Sequence, residues 1–154
     1  MLFDPNPEEL LGRLEDELRR AETITPELMS DVIGQACVRF AAHRPHVNAN
    51  VHQLIEVGAW TDATLAMLEL ELPQWKLRRL VRDDGEWFCS LSKQPELPIG
   101  YDEVAEASHE ILPLAILLAF VQARRTTAAS AKCLTTVPQV RPVEEHASCC
   151  DNFA

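Results

Sequence analysis

Three histidines, His43, His46 and His52, lie close together in the chain, with Cys37 shortly before them. Imidazole and thiolate are side chains that hold zinc, so this is the first place to look for a metal. Their context favours a plainer role. His43 and His46 flank Pro45 at an expected helix end, where a cation suits the terminal carbonyls. Cys37 belongs to an apolar stripe and suits a core. Ser108-His109-Glu110 lacks the second histidine of a zinc-protease helix, because position 113 is proline. The vicinal pair Cys149-Cys150 offers soft ligands without a frame to fix them. No metal and no cofactor is expected.

Other chemistries are excluded more firmly. The five glycines, Gly12, Gly34, Gly58, Gly85 and Gly100, are nowhere closer than 15 positions. A phosphate-cradling loop needs several glycines within a few residues, so that the backbone can approach the anion. Both the Walker-type and the dinucleotide-type loop are therefore absent. There is no Gly-x-Ser-x-Gly elbow and no cysteine–histidine nucleophile signature. The carboxylates Glu103, Glu106 and Glu110 fall on one side of an expected helix, which is ordinarily a solvated face. Glu110 stands out because Pro113 would deprive the His109 carbonyl of its helical donor. His109 and Glu110, with Trp75 and Trp87 as neighbours, are thus candidates for a small ligand pocket. Enzymatic activity is not the leading expectation.

A basic and aromatic segment carries the stronger signal. Residues 74–94 hold Lys76, Arg78, Arg79, Arg82 and Lys93 against Asp83, Asp84 and Glu86, a local +2, whereas the whole chain carries −10. Trp75, Trp87 and Phe88 are interleaved with these cations. Such a surface suits a protein partner better than a nucleic acid, because the chain as a whole would be repelled by phosphates. The candidate partner-binding residues are Trp75, Lys76, Arg78, Arg79, Arg82, Trp87 and Phe88. The competing explanation is that cations guard an exposed strand edge.

The elements that must position these residues follow from caps and periodicity. With 154 residues, about half of them apolar, the chain suits one globular domain. Asn6-Pro7 and Thr25-Pro26 are helix starts. The stripe Leu28, Met29, Val32, Ile33, Ala36, Cys37 and Phe40 gives the second helix a wide core face. A third helix is expected from about Asn48 to a left-handed close at Gly58. A fourth is expected after Thr61 as cap, with Trp60 packed on Leu65.

Trp75–Arg82 and Glu86–Ser92 then form a β-hairpin around the three-residue loop Asp83-Asp84-Gly85, pairing Leu77 with Leu91 and Val81 with Trp87. A last helix begins near Asp102 and is kinked at Pro113. Its second half, apolar all round, should be central. Residues 126–154 show no periodicity and are expected to form a disordered tail. The fold class is therefore α+β: four N-terminal helices, one hairpin and a long kinked C-terminal helix in a domain over residues 5–125.

The start Met1-Leu2-Phe3-Asp4 has no signal-peptide pattern. The longest apolar run, Ile111–Val121, is too short to span a bilayer, and the odd number of cysteines argues against a disulfide framework. A cytoplasmic protein without membrane contact is expected. The segments Ala59-Trp60-Thr61-Asp62-Ala63, Leu72-Pro73-Gln74-Trp75-Lys76-Leu77, Asp83-Asp84-Gly85-Glu86-Trp87 and Ser108-His109-Glu110-Ile111-Leu112-Pro113 make residues 25–125 similar to small cytosolic proteins of alphaproteobacterial type. That resemblance implies no activity. The expected function is a non-catalytic protein-interaction module acting through the hairpin, with homodimerisation by strand pairing as a possibility. The alternative is a small enzyme or ligand-binding protein with its pocket near Pro113.

Overall fold

The computed structural model describes residues 6–42 and 45–134. Among these the order is α1 (Pro7–Arg20), α2 (Pro26–Ala36), α3 (Val38–Ala42), α4 (Pro45–Glu56), α5 (Trp60–Glu71), β1 (Lys76–Asp83), β2 (Glu86–Ser92), a 3-10 turn (Ile99–Tyr101), β3 (Val104–His109) and α6 (Leu112–Leu134). The class is α+β. The strands form one antiparallel sheet in the order β1-β2-β3.

The helix starts follow local chemistry. The Asn6 side chain accepts from Glu8 N, and Thr25 Oγ1 accepts from Leu28 N at 3.2 Å. Each precedes a proline whose missing donor costs nothing there. Gly58, at φ +73°, closes α4. The bonds Ala59 N to Leu54 O and Gly58 N to Ile55 O complete a left-handed cap.

The N-terminal half holds five helices rather than four. The expected second helix breaks at Cys37 (φ −107°, ψ 80°), and α3 starts anew because its first amides find an acceptor elsewhere. The Glu71 carboxylate, at the end of α5, accepts from Arg39 N at 3.0 Å and from Phe40 N. Pro45 does not stop a helix but opens α4. Trp60 is the first residue of α5, which follows Ala59 without a side-chain cap. Thr61 lies inside that helix, where its carbonyl accepts from Thr64 Oγ1.

Two further differences shape the sheet. The hairpin loop is Asp84-Gly85 alone, with Asp83 opposite Glu86 and Arg82 opposite Trp87. Both loop residues have positive φ, 48° and 89°, as a two-residue loop with the twist of its strands requires. Leu77 nevertheless faces Leu91, because a bulge at Arg78 absorbs one residue between Leu77 and Arg79. The bulge restores the apolar pairing that the shorter loop would otherwise have lost.

The second difference is β3. Val104–His109, expected as the first turns of the last helix, instead pairs along β2. Ala105 and Ala107 point inward and are buried, while Glu106 and Ser108 are exposed. This is the alternation of a strand with one covered face.

Pro113 consequently sits in the first turn of α6, where it needs no donor, and there is no mid-helix kink to explain. Helix α6 is central. Pro113–Val121 is buried throughout, and the helix packs against β3, β2, α1 and α5. The small side chains of Ala105 and Ala107 allow its close approach to the sheet. Helix α6 also continues to Leu134, through the first residues of the expected tail; residues 135–154 lie outside the described residues. No helix among the described residues is long and apolar enough to cross a membrane.

Candidate functional site

A three-stranded sheet has two edges, and here they are treated differently. At the β3 edge, the outward amide of Glu106 donates to Gln122 Oε1 of α6 at 3.1 Å. The β1 edge has no strand or helix packed along it among the described residues. In an antiparallel ladder alternate residues turn their backbone groups outward. With Asp83 and Glu86 closing the two-residue loop, those residues in the regular part of β1 are Leu80 and Arg82.

The edge is cationic. Lys76, Arg79 and Arg82 are exposed along β1. Arg79 lies over the Phe88 ring at 6.0 Å and Arg82 over the Trp87 ring at 5.9 Å, one on each face of the sheet. A guanidinium held over a ring face, rather than paired with an acid, keeps its N–H groups free to meet a carboxylate. Trp87 and Phe88 are half-buried and so serve as platforms for the arginines. A groove of about 380 Å³ runs beside them, lined by Arg79, Val81, Phe88 and Ser108 and closed by Asp83, Asp84 and Glu86 at the turn.

Two of the candidate partner-binding residues are engaged within the fold itself. Trp75 is only 3% exposed. Its indole N–H donates to Thr127 Oγ1 at 3.3 Å, and the Lys93 ammonium lies 5.4 Å from its ring centre. Arg78, displaced by the bulge, donates to Asp102 Oδ2 at 3.1 Å and to Leu97 O at 3.3 Å. In their place the connection between β2 and β3 contributes two exposed apolar residues, Leu97 and Tyr101, the latter 81% exposed.

Asp102 holds that connection to the sheet. Its carboxylate accepts from Ser92 Oγ, from Gln94 N at 2.9 Å and from Arg78. Burial alone would raise this carboxyl. The bonds from Ser92 and Gln94 and the charge of Arg78 together outweigh it and hold the group below its ordinary value of 3.8. Glu15 behaves alike: burial pushes it up, and bonds from Arg19 and Arg125 hold it lower. A carboxyl lowered in the folded state stabilises the fold above its unfolded value, and the contribution disappears as pH falls through the folded value. Asp102→Asn should therefore melt below wild type at pH 6, and the gap should narrow below about pH 4. Thermal melts across that range check this; a constant gap contradicts it.

His109 and Glu110 line a polar cleft of about 600 Å³ with Arg19, Arg20, Glu22, Glu86 and Ser108. Its chemistry is poor for acid–base work. His109 Nδ1 accepts from Ile111 N at 3.0 Å, so the neutral ring carries its proton on Nε2 and its one basic nitrogen is engaged by the backbone. Glu110 is exposed.

Of the three neighbouring histidines, His43 and the side chain of His46 lie outside the described residues, and His52 packs its ring edgewise on Phe40 at 5.4 Å. Among the described residues no three His, Cys, Asp or Glu side chains come together as a metal site. Burial pushes the Cys37 thiol up to about 12, with the Glu71 charge adding to it, and pushes Cys89 equally high. Neither is a thiolate at neutral pH, so neither is an activated nucleophile.

Nothing in the sequence pattern marks Glu71. It is 2% exposed and stands at a smaller cavity of about 190 Å³, together with Arg39, Gln74, Trp75, Arg124 and Thr127. An acid after Leu70 at the end of a helix looks solvated in one dimension; only the return of α3 buries it. No family model matches the chain, and neither a curated protein nor a solved structure is similar to it.

Proposed function

We propose that this is a non-catalytic, cytosolic protein-interaction module that takes an acidic, extended segment of a partner protein as a fourth strand along β1. The observation that carries the reading is an open strand edge bearing exposed cations in a chain whose net charge is −10. An added strand satisfies the outward backbone groups, and its acidic side chains meet Lys76, Arg79 and Arg82. Leu97 and Tyr101 supply apolar contact beyond one end of the strand.

Charge also selects the partner. Pairing β1 with its own copy would place the exposed Lys76, Arg79 and Arg82 against the same three cations, with only Asp83 to offset them. Like charges across a ladder destabilise it. Apart from Glu22, the acids of the N-terminal region among the described residues are held in α1 and α2 and cannot serve as a strand in a second copy. A foreign acidic strand is the better complement. The ligand-pocket alternative rests on the cleft at His109 and Glu110. Its lining has three carboxylates against two guanidiniums and lacks a base on His109.

A fluorescent eight-residue peptide, Val-Glu-Glu-Val-Val-Glu-Glu-Val, which as an added strand presents glutamates on both faces, tests the reading. Anisotropy should show saturable binding that weakens as salt rises. The same peptide N-methylated at alternate residues, on the edge it presents to β1, keeps its charge and loses its ladder bonds, so it should bind at least tenfold more weakly. Equal binding of the two peptides would reduce the contact to unspecific charge attraction and overturn the proposal.

A further inference from the structure

Arg79 and Arg82 stand at the two ends of the regular stretch of β1, and the register sends them to opposite faces of the sheet. Arg79 is opposite Ser90, whereas Arg82 is opposite Trp87, and side chains an odd number of positions apart in a strand point to opposite sides. Leu80 and Val81 between them divide in the same way. Leu80 pairs with the buried Cys89, which pairs in turn with Ala107 on the face that α6 covers; Val81 pairs with Phe88 on the other face. Both are half-buried, so each still shows apolar surface at the edge. Both arginines are exposed, and each leans on a ring of β2 instead of an acid. The bulge at Arg78 ends this stretch on one side, where Arg78 turns back to Asp102. Asp83, the last residue of β1, ends it on the other.

We propose, on the premise that a partner strand adds at β1, that the edge selects a four-residue motif in that strand: acid, apolar, apolar, acid. An added strand sets one side chain beside each side chain of β1, on the same face. Its two acids then meet Arg79 on one face and Arg82 on the other, while its two central residues cover Leu80 and Val81. Acids only two residues apart share a face. They reach one arginine and set the second carboxylate against Leu80 or Val81, where it loses water without gaining a partner. The motif reads the same in both directions, so a parallel and an antiparallel strand meet the same four residues. A further acid beside Asp83 is repelled, which fixes the place of the motif along the strand.

Two fluorescent peptides of one composition and charge test the spacing: Thr-Thr-Glu-Val-Val-Glu-Thr-Thr and Thr-Thr-Glu-Val-Glu-Val-Thr-Thr. Anisotropy at low salt should show the first binding about fivefold more tightly, the worth of one more opposite-charge pair across the ladder. In Arg82→Gln the preference should vanish and the two peptides bind alike. Each peptide is also measured N-methylated at alternate residues on the edge it presents to β1. Equal affinity of the two peptides for the wild-type protein, with N-methylation weakening both, overturns the motif and leaves strand addition standing. Equal affinity without an effect of N-methylation, or no binding by either peptide, overturns both. A preference that survives in Arg82→Gln overturns the assignment of the second acid to Arg82 and with it the motif.

Discussion

Replacing Glu71 by Ala should lower the stability of the folded protein by about 3 kcal/mol. The estimate counts one buried and one partly buried amide deprived of their acceptor, at roughly 1–3 kcal/mol each. Glu71 is nearly inaccessible to solvent, and its oxygens take the amides of Arg39 and Phe40. These are the second and third amides of a five-residue helix, which is too short to hold itself together. The carboxylate from the end of α5 therefore does for α3 what a local cap does elsewhere.

Glu71→Gln retains one carbonyl acceptor and should lose about half as much. Urea unfolding at constant slope would read both values. A loss below about 0.5 kcal/mol for the alanine variant, within the range of ordinary surface substitutions, would contradict this role. Glu71 and Arg124 also share the wall of the cavity of about 190 Å³.

The second large effect concerns binding. Arg79→Glu combined with Arg82→Glu should weaken the acidic peptide about 30-fold at low salt. Each reversal turns an exposed attraction into a repulsion at a cost of about 1 kcal/mol, and about 2 kcal/mol is a factor of 30. Both side chains are exposed and rest on aromatic rings rather than on acids of the same chain, so the fold should survive with only the loss of two cation–ring contacts. Arg78→Glu is a poor substitute. It would break the pair with Asp102 and loosen the connection behind β2, so reduced binding would not report on the edge. Surface charge acts mainly through association rate; stopped-flow mixing should place most of the loss there. Unchanged affinity in the double variant would remove the cations from the account.

The parts of the fold that local chemistry decides were legible in one dimension. Asn6-Pro7, Thr25-Pro26 and Gly58 each mark a helix boundary by a bond that the residue makes with its own neighbours. The apolar run at Ile111–Val121 likewise announced a central helix. What escaped was decided across the structure. Glu103, Glu106 and Glu110 fit a helical face, while Ala105 and Ala107 fit a strand; the open edge of β2 and the underside of α6 settle the matter.

The hairpin loop is one residue shorter than its apolar pattern suggests, because a bulge in β1 shifts the pairing. Asp84-Gly85 alone is a strong two-residue turn signal, and Arg78 is the residue that makes both the turn and the apolar pairing possible. Among the site residues, Lys76, Arg79 and Arg82 stand where an interleaved basic strand would put them. Trp75 does not, since nothing in its neighbours distinguishes a buried indole from an exposed one until Thr127 comes back to meet it.

The open β1 edge is tested most directly by amide hydrogen exchange with and without the acidic peptide. The amides of Leu80 and Arg82, which face away from β2, should exchange rapidly in the free protein and gain protection when the peptide binds. Their neighbours Val81 and Asp83, already bonded to β2, should change little. Protection confined to Leu80 and Arg82 is the signature of a strand added at this edge. Binding that leaves those two amides unprotected, or that protects the cleft at Ser108 and His109 instead, would contradict it.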